Sequence, residues 1–194
     1  METVPQIILA SASPRRAELL DQIGVRYRVD VADIDEQIEG ELPEVAVQRL
    51  AQEKAQCVFE RQSESNTLPV LGADTIVVQG EEILQKPTSR KEGLAMMAQL
   101  SGATHQVMSA VCVISSTGVS QALNCSQITF RATSEEERAA YWHCGESADK
   151  AGGYAVQGMA AIFIEQLQGS YSGVMGLPLF ETAQLLRRAG VSLL

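Results

Sequence analysis

Six residues near the start of the chain, Ser11-Ala12-Ser13-Pro14-Arg15-Arg16, follow a short apolar run and open a helical pattern. Ser13 suits a helix N-cap and Pro14 the first helical position, which places Arg15 and Arg16 in the first turn. Cations there oppose the helix dipole, and a capping box would carry Glu or Gln where Arg16 stands. A bound anion resolves the conflict. Backbone N–H groups, two serine hydroxyls and two guanidinium forks converging after a strand suit a phosphate. The alternative has both arginines in solvent or paired with nearby acids.

Asp74 interrupts the otherwise apolar strand pattern around Leu71 and Val77. An isolated buried carboxylate is costly, so Asp74 either faces water at a strand break or is a paired, cation-bound or catalytic group. Lys54 falls inside the apolar stripe Val47, Leu50, Ala51, Cys57 and Val58 of a long helical pattern. Its stem can snorkel to the rim, or its ammonium can neutralise phosphate charge. Only four of the 15 basic residues are lysines, and Lys86 and Lys150 could act in the same way. Asp33, Asp35 and Glu36 read as a solvated acidic face unless Asp74 lies close, when magnesium binding becomes available.

Gly152 to Gly158 lacks the Gly-Lys-Ser/Thr of a Walker loop and the Gly-x-Gly-x-x-Gly of a dinucleotide site. It suits a close approach of backbone to ligand, with Gln157 presenting a donor and an acceptor to a base edge. His105 and His143 lack the Ser or Cys partner of a hydrolase triad and read as structural.

The elements that must position these groups follow from periodicity and turn residues. Strands are expected at 6–10, 27–31, 69–78, 82–84, 103–115, 119–131 and 161–167. Helices are expected at 14–23, 43–61, 89–100, 134–144 and 178–189, with Ser89 and Ser134 as caps. One hairpin is expected, at Ser116-Thr117-Gly118, together with a polar linker at 63–67 and a loop leading to Gly176. The alternation predicts an α/β fold with helices on the faces of a mixed sheet.

The 194 residues are enough to bury a core without disulfides, and 45% hydrophobic and 20% charged residues, near the average of globular domains, suggest neither disorder nor a coiled coil. Four widely spaced cysteines, with no metal-ligand spacing, read as reduced and mostly buried. A net charge of -9 argues against general nucleic-acid binding. The first residues lack a secretion-signal pattern and no run approaches the ~20 apolar residues of a membrane span, so a cytoplasmic location is expected.

Ala10 to Arg16, Gly72-Ala73-Asp74-Thr75, Lys86-Pro87, Asp149-Lys150-Ala151-Gly152 and Gly176-Leu177-Pro178 closely resemble, in order and across nearly the whole chain, the Maf-like nucleotide pyrophosphatases. The resemblance implies a single Maf-like domain over 1–194: two lobes around a nucleotide cleft, with a long central mixed β-sheet flanked by helices. Such a fold is related to the inosine triphosphate pyrophosphatases. The implied reaction converts a nucleoside triphosphate and water to the monophosphate and pyrophosphate. A Mg2+ or Mn2+ ion would be held by Asp74 and Glu36, with Asp74 as proton acceptor for a water attacking the α-phosphorus. For such a reaction the residues expected to contact the phosphates are Ser13, Arg16, Lys54, Lys86 and Lys150.

Base selectivity would rest on Arg15, Thr75 and Gln157. Thr75 and Gln157 match the branch acting on dTTP and UTP. The branch preferring 7-methyl-GTP carries Gln after the motif aspartate and Glu near the second site. Gly153 and Ala155 stand where the family pattern has Ala and Gly around Tyr154, which bears on the placement of Gln157. The implied partner is the triphosphate substrate, with no nucleic acid and no membrane, and a homodimer is left open. The competing readings are a non-catalytic nucleotide-binding regulator of septum formation, a 7-methyl-GTP pyrophosphatase, and a house-cleaning enzyme for modified pyrimidine nucleotides.

Overall fold

The structure is a computed structural model that describes residues 4–63 and 67–193. Residues 64–66 of the expected linker lie outside the described residues. In chain order the elements are β1 (Ile7–Leu9), α1 (Pro14–Gln22), β2 (Tyr27–Val29), α2 (Pro43–Phe59), β3 (Val70–Gln79), β4 (Glu82–Leu84), α3 (Arg90–Leu100), β5 (Thr104–Ser115), β6 (Gly118–Phe130), α4 (Glu135–His143), β7 (Ile164–Gln168), α5 (Tyr171–Met175) and α6 (Leu179–Arg188). The seven strands form one mixed sheet in the order β2-β1-β3-β5-β6-β7, with β4 paired to β3. The expected α/β class and mixed sheet are what the chain forms.

The chain forms two compact units. One comprises Met1–Asp74, Ser109–Asn124 and Gly176–Leu194, and the other Thr75–Met108 and Cys125–Met175. The first unit opens with a β-α-β-α-β run. β1 pairs in parallel with β2 through Ile7↔Tyr27 and with β3 through Leu9↔Leu71, so α1 and α2 serve as the crossovers that parallel strands require. Both helices start with proline at the first helical positions, where no backbone donor is lost. All of β1 and the paired start of β3 are buried, as expected of strands covered on both faces.

The second unit is built from antiparallel pairs. β3 and β4 form a hairpin through Val77↔Leu84 and Gln79↔Glu82, turning at Gly80 with φ 63°. This second hairpin adds to the expected one between β5 and β6. The sequence places a turn at Gln79-Gly80 before the strand 82–84; the pairing Gln79↔Glu82 puts it one residue later, at Gly80-Glu81. β6 pairs with β7 through Ile128↔Leu167. Val77, Met97, Leu100, Ile128, Phe130, Tyr154 and Phe163 belong to one buried cluster of this unit. Ser89 caps α3, and Ser134 and Glu137 form a full capping box on α4.

Two expectations fail locally. Residues 161–163 belong to a 3-10 turn, Met159–Phe163, and the strand begins only at Ile164. Within the turn Ala160 and Phe163 are buried while Met159 and Ile162 are exposed. That is the period-three alternation of a 3-10 helix, hidden in a sequence whose apolar run resembles a strand. The stretch before Gly176 holds the short helix α5, capped by Ser170 Oγ accepting from Gly173 N–H at 3.0 Å. The four cysteines are free thiols as expected, but only Cys112 is buried and Cys125 and Cys144 are exposed. Burial pushes the Cys112 thiol up to about 12.

Candidate active site

Three chain segments leave the carboxyl ends of the parallel strands of the first unit. β1 continues into Ser11, β2 into the loop bearing Asp33, Asp35 and Glu36, and β3 runs past its last pairing with β1, at Leu71, to Asp74. Ala10 N–H donates to Leu71 O at 2.8 Å and Asp30 N–H to Leu9 O at 3.1 Å, which holds the three segments in register. The carboxyl ends of parallel strands are where open α/β sheets bind ligands.

The approach of α2 to β3 is set by Gly72. A Cβ there would lie 2.3 Å from Ala51 O and 2.6 Å from Ala55 N, so helix backbone packs directly against strand backbone. Lys54, between those two alanines, is thereby delivered to Asp74. Its Nζ lies 2.7 Å from Asp74 Oδ1 and 2.9 Å from Glu36 Oε1. Lys54 and Asp74 are each only 7% exposed, and Glu36 reaches in from an exposed loop position. Of the two sequence readings of Asp74, the water-facing strand break is excluded, and Lys54 does not snorkel out. Asp74 is a paired carboxylate in an unbroken strand.

Arg16 is 9% exposed and turns inward. Its Nε donates to Gly176 O at 2.9 Å and its Nη1 to Ser11 Oγ at 2.9 Å. Burial pulls its pKa below the usual arginine value, Asp74 and Glu36 oppose that effect, and Arg15 adds to it. The guanidinium therefore sits in the field of both carboxylates and of a second cation. Arg15 and Arg16 thus set two adjacent cations, one of them desolvated, in the field of two carboxylates.

Ser13 takes the N-cap position with extended backbone, but its side chain does not cap the helix. Its carbonyl accepts from Arg16 and Ala17 N–H, and its N–H donates to Ser11 Oγ at 3.2 Å. The organised serine is therefore Ser11, which the capping argument passed over. Its hydroxyl ties the loop N–H to the buried guanidinium. Gly176, whose carbonyl anchors Arg16, stood in a sequence motif without an assigned role. No local pattern could link it to a residue 160 positions away.

In the second unit, Thr75 is the half-buried next residue of β3, and Lys86 is exposed between β4 and Pro87. Gly152 N–H donates to Gln85 O at 3.2 Å, which places the Lys86 segment beside the turn that follows Lys150. Lys150 Nζ donates to Glu146 O at 2.7 Å and to Asp149 Oδ1 at 2.5 Å. Gln157 is exposed. Gly153 has φ 70°, a left-handed conformation strained for alanine, so its departure from the family pattern suits the backbone it occupies. His105 is buried with Nε2 2.7 Å from the Tyr154 hydroxyl, and His143 Nδ1 lies 2.6 Å from Ala139 O. Both have the structural role expected.

Among the described residues, no group of three or more His, Cys, Asp or Glu side chains is placed to hold a metal ion. Asp74 and Glu36 supply two carboxylates within reach of one ammonium. A hard cation of the magnesium type takes one or two protein carboxylates and completes its shell with water and phosphate oxygen, so this donor set fits. No helix among the described residues is long and apolar enough to cross a membrane.

Residues 6–189 match the Maf-like protein family, and the chain belongs to it. Among its relatives, the dTTP/UTP pyrophosphatase of Alkalilimnicola ehrlichii is 52% identical over 186 residues, covering 94% of this chain and 92% of the relative. The proteins of the same name from Saccharophagus degradans and Hahella chejuensis are 50% and 43% identical. They cover 93% and 97% of this chain, and 87% and 94% of the respective relatives.

Proposed function

We propose that this chain is a nucleoside triphosphate pyrophosphatase that hydrolyses dTTP and UTP to the monophosphate and pyrophosphate. The observation that carries the proposal is Lys54 bridging Asp74 and Glu36, in the field of Arg16, beyond the carboxyl ends of β1 and β2 where β3 runs on past them. The name shared by relatives of 43 to 52% identity over nearly the whole chain supports the same reading.

In the proposed reaction Asp74 accepts a proton from water as the water oxygen bonds to the α-phosphorus. The bond from that phosphorus to the bridging oxygen breaks, and pyrophosphate leaves. Lys54 holds the Asp74 carboxylate in place. Cations fixed before the substrate arrives stabilise the charge that develops on the phosphates without reorganising, which is where phosphoryl-type transfer gains most of its rate. Arg16, Lys54, Lys86, Lys150 and Ser13 are assigned to the phosphates, and Arg15, Thr75 and Gln157 to selection of the base. Asp74 and Glu36 would hold Mg2+ or Mn2+, which when bound neutralises phosphate charge and polarises oxygen. The pool of nucleoside triphosphates supports a cytoplasmic location.

The test is to incubate purified protein with dTTP, UTP, CTP and 7-methyl-GTP in Mg2+ or Mn2+ and to assay pyrophosphate. Fastest turnover of dTTP and UTP, with one pyrophosphate per triphosphate and loss of rate in chelator, is expected. Release of orthophosphate rejects the reaction, and fastest turnover of 7-methyl-GTP rejects the substrate. No turnover at all favours the regulator.

A further inference from the structure

The segment carrying Gln157 is held at four points that no catalytic assignment uses, all within the second unit. Gly152 N–H donates to Gln85 O. Tyr154 is locked by its hydroxyl against His105 Nε2 at 2.7 Å, and its ring stands edge-on to Phe130 with centroids 4.9 Å apart. Ala155 N–H donates to the Tyr141 hydroxyl at 3.1 Å. Met159 N–H donates to the Glu146 carboxylate at 2.9 and 3.1 Å. Residues 154–156 are buried between these anchors, and Gln157 directly after them is exposed. At Gly158 a Cβ would lie 2.2 Å from Glu146 Oε2, so a side chain there would push that carboxylate from its place at Met159 N–H.

The chemistry of an amide explains why such a clamp is needed. Uracil and thymine offer an acceptor beside an N–H donor, whereas cytosine offers an amino donor beside an acceptor. A carboxamide presents one donor and one acceptor, so a side chain free to shift or turn can satisfy either base. Holding the backbone to within about 0.5 Å removes the shift and limits which atoms of the base edge the amide can reach, which is the part of selectivity the fold can supply. Two tyrosine hydroxyls and one carboxylate supply that restraint on both sides of Gln157.

Resting on the proposed selectivity role of Gln157, we infer that Tyr141, Tyr154 with His105, and Glu146 are positioning residues for base selection. They act by fixing the backbone from which Gln157 reads the edge of the pyrimidine. Tyr141 is the most direct of them, because its hydroxyl binds the backbone two residues before Gln157 and its ring lies in the core.

The experiment measures kcat/KM for UTP and CTP with the wild-type chain, Gln157→Ala, Tyr141→Phe and the double variant. Gln157→Ala is expected to lower the UTP-to-CTP ratio. Tyr141→Phe is expected to lower it by about three- to tenfold, the worth of one displaced hydrogen bond. The double variant should discriminate no worse than Gln157→Ala, which a merely structural loss would not produce. A wild-type ratio in Tyr141→Phe, with Gln157→Ala altered, overturns the inference and leaves the role of Gln157 standing. An unchanged ratio in Gln157→Ala removes that role and the inference with it, and so does a wild-type chain that does not hydrolyse UTP. If Tyr141→Phe loses its fold by circular dichroism, Tyr154→Phe decides by the same ratio, since it keeps the ring in the aromatic cluster and deletes only the bond to His105.

Discussion

Lys54 Nζ lies 2.7 Å from Asp74 Oδ1, although one residue is in the middle of α2 and the other in the middle of β3. A lysine in the apolar stripe of a helix and an aspartate in an apolar strand each break a local pattern, and each resolves the other's conflict. Glu36, from the loop after β2, adds a second carboxylate at 2.9 Å from the same ammonium.

Asp74→Asn keeps an oxygen for Lys54 and removes the proton acceptor. The fold should persist by circular dichroism, and pyrophosphate release should fall roughly 100-fold or more. Near-normal turnover would sink the assignment of Asp74.

Lys54→Met leaves two carboxylates facing each other without their cation, one of them buried. Removing one partner of a buried pair costs about 3 kcal/mol or more, so urea unfolding should show a loss well beyond that of Asp74→Asn. If Asp74→Asn proves the more destabilising of the two, the cation is not what holds the cluster.

Gly72→Ala inserts a methyl group 2.3 Å from the backbone oxygen of Ala51. Helix backbone cannot yield as a side chain can, so a stability loss of about 1–3 kcal/mol is expected, with reduced turnover because α2 carries Lys54 away from Asp74. A crystal structure of the variant with the 2.7 Å Lys54–Asp74 contact intact would contradict this link.

Arg16→Lys keeps the charge and loses the fork that spans Gly176 O and Ser11 Oγ. A single ammonium cannot hold both directions, so stability should drop by about 1.5 kcal/mol or more and KM for UTP should rise. Equal KM values would remove Arg16 from the phosphate-binding set.

Burial holds His105 near a pKa of about 4, against 6.5 when exposed. Between those values the unfolded chain binds a proton that the folded chain refuses, so His105 lowers stability as pH falls through that window and has no effect above it. The loss approaches about 3 kcal/mol at the acid end. In His105→Gln this part of the slope should vanish, as read from urea midpoints at about pH 7.5, 5.5 and 4.5. A slope equal to that of wild type would show that His105 is solvated in the folded state.

Much of the architecture was legible in periodicity and turn chemistry, because helix starts at Pro14 and Pro43, the caps Ser89 and Ser134 and the apolar run of β3 are local signals. The misses are also physical. Met159–Phe163 hides a 3-10 turn in a strand-like run, and the hydroxyl of Ser13 gives way to its own carbonyl.

By itself the sequence determined which residues carry charge against their surroundings: Arg16 at a helix start, Lys54 in an apolar stripe and Asp74 in an apolar strand. Propensity and periodicity act over a few residues, so such conflicts show locally. Only the tertiary structure decided how they are resolved. The backbone approach at Gly72 brings Lys54 to Asp74, the carbonyl of Gly176 turns Arg16 inward, and the loop after β2 adds Glu36. Each of these contacts joins segments far apart in the chain, and their cost and gain exist only once the parallel strands have brought those segments together.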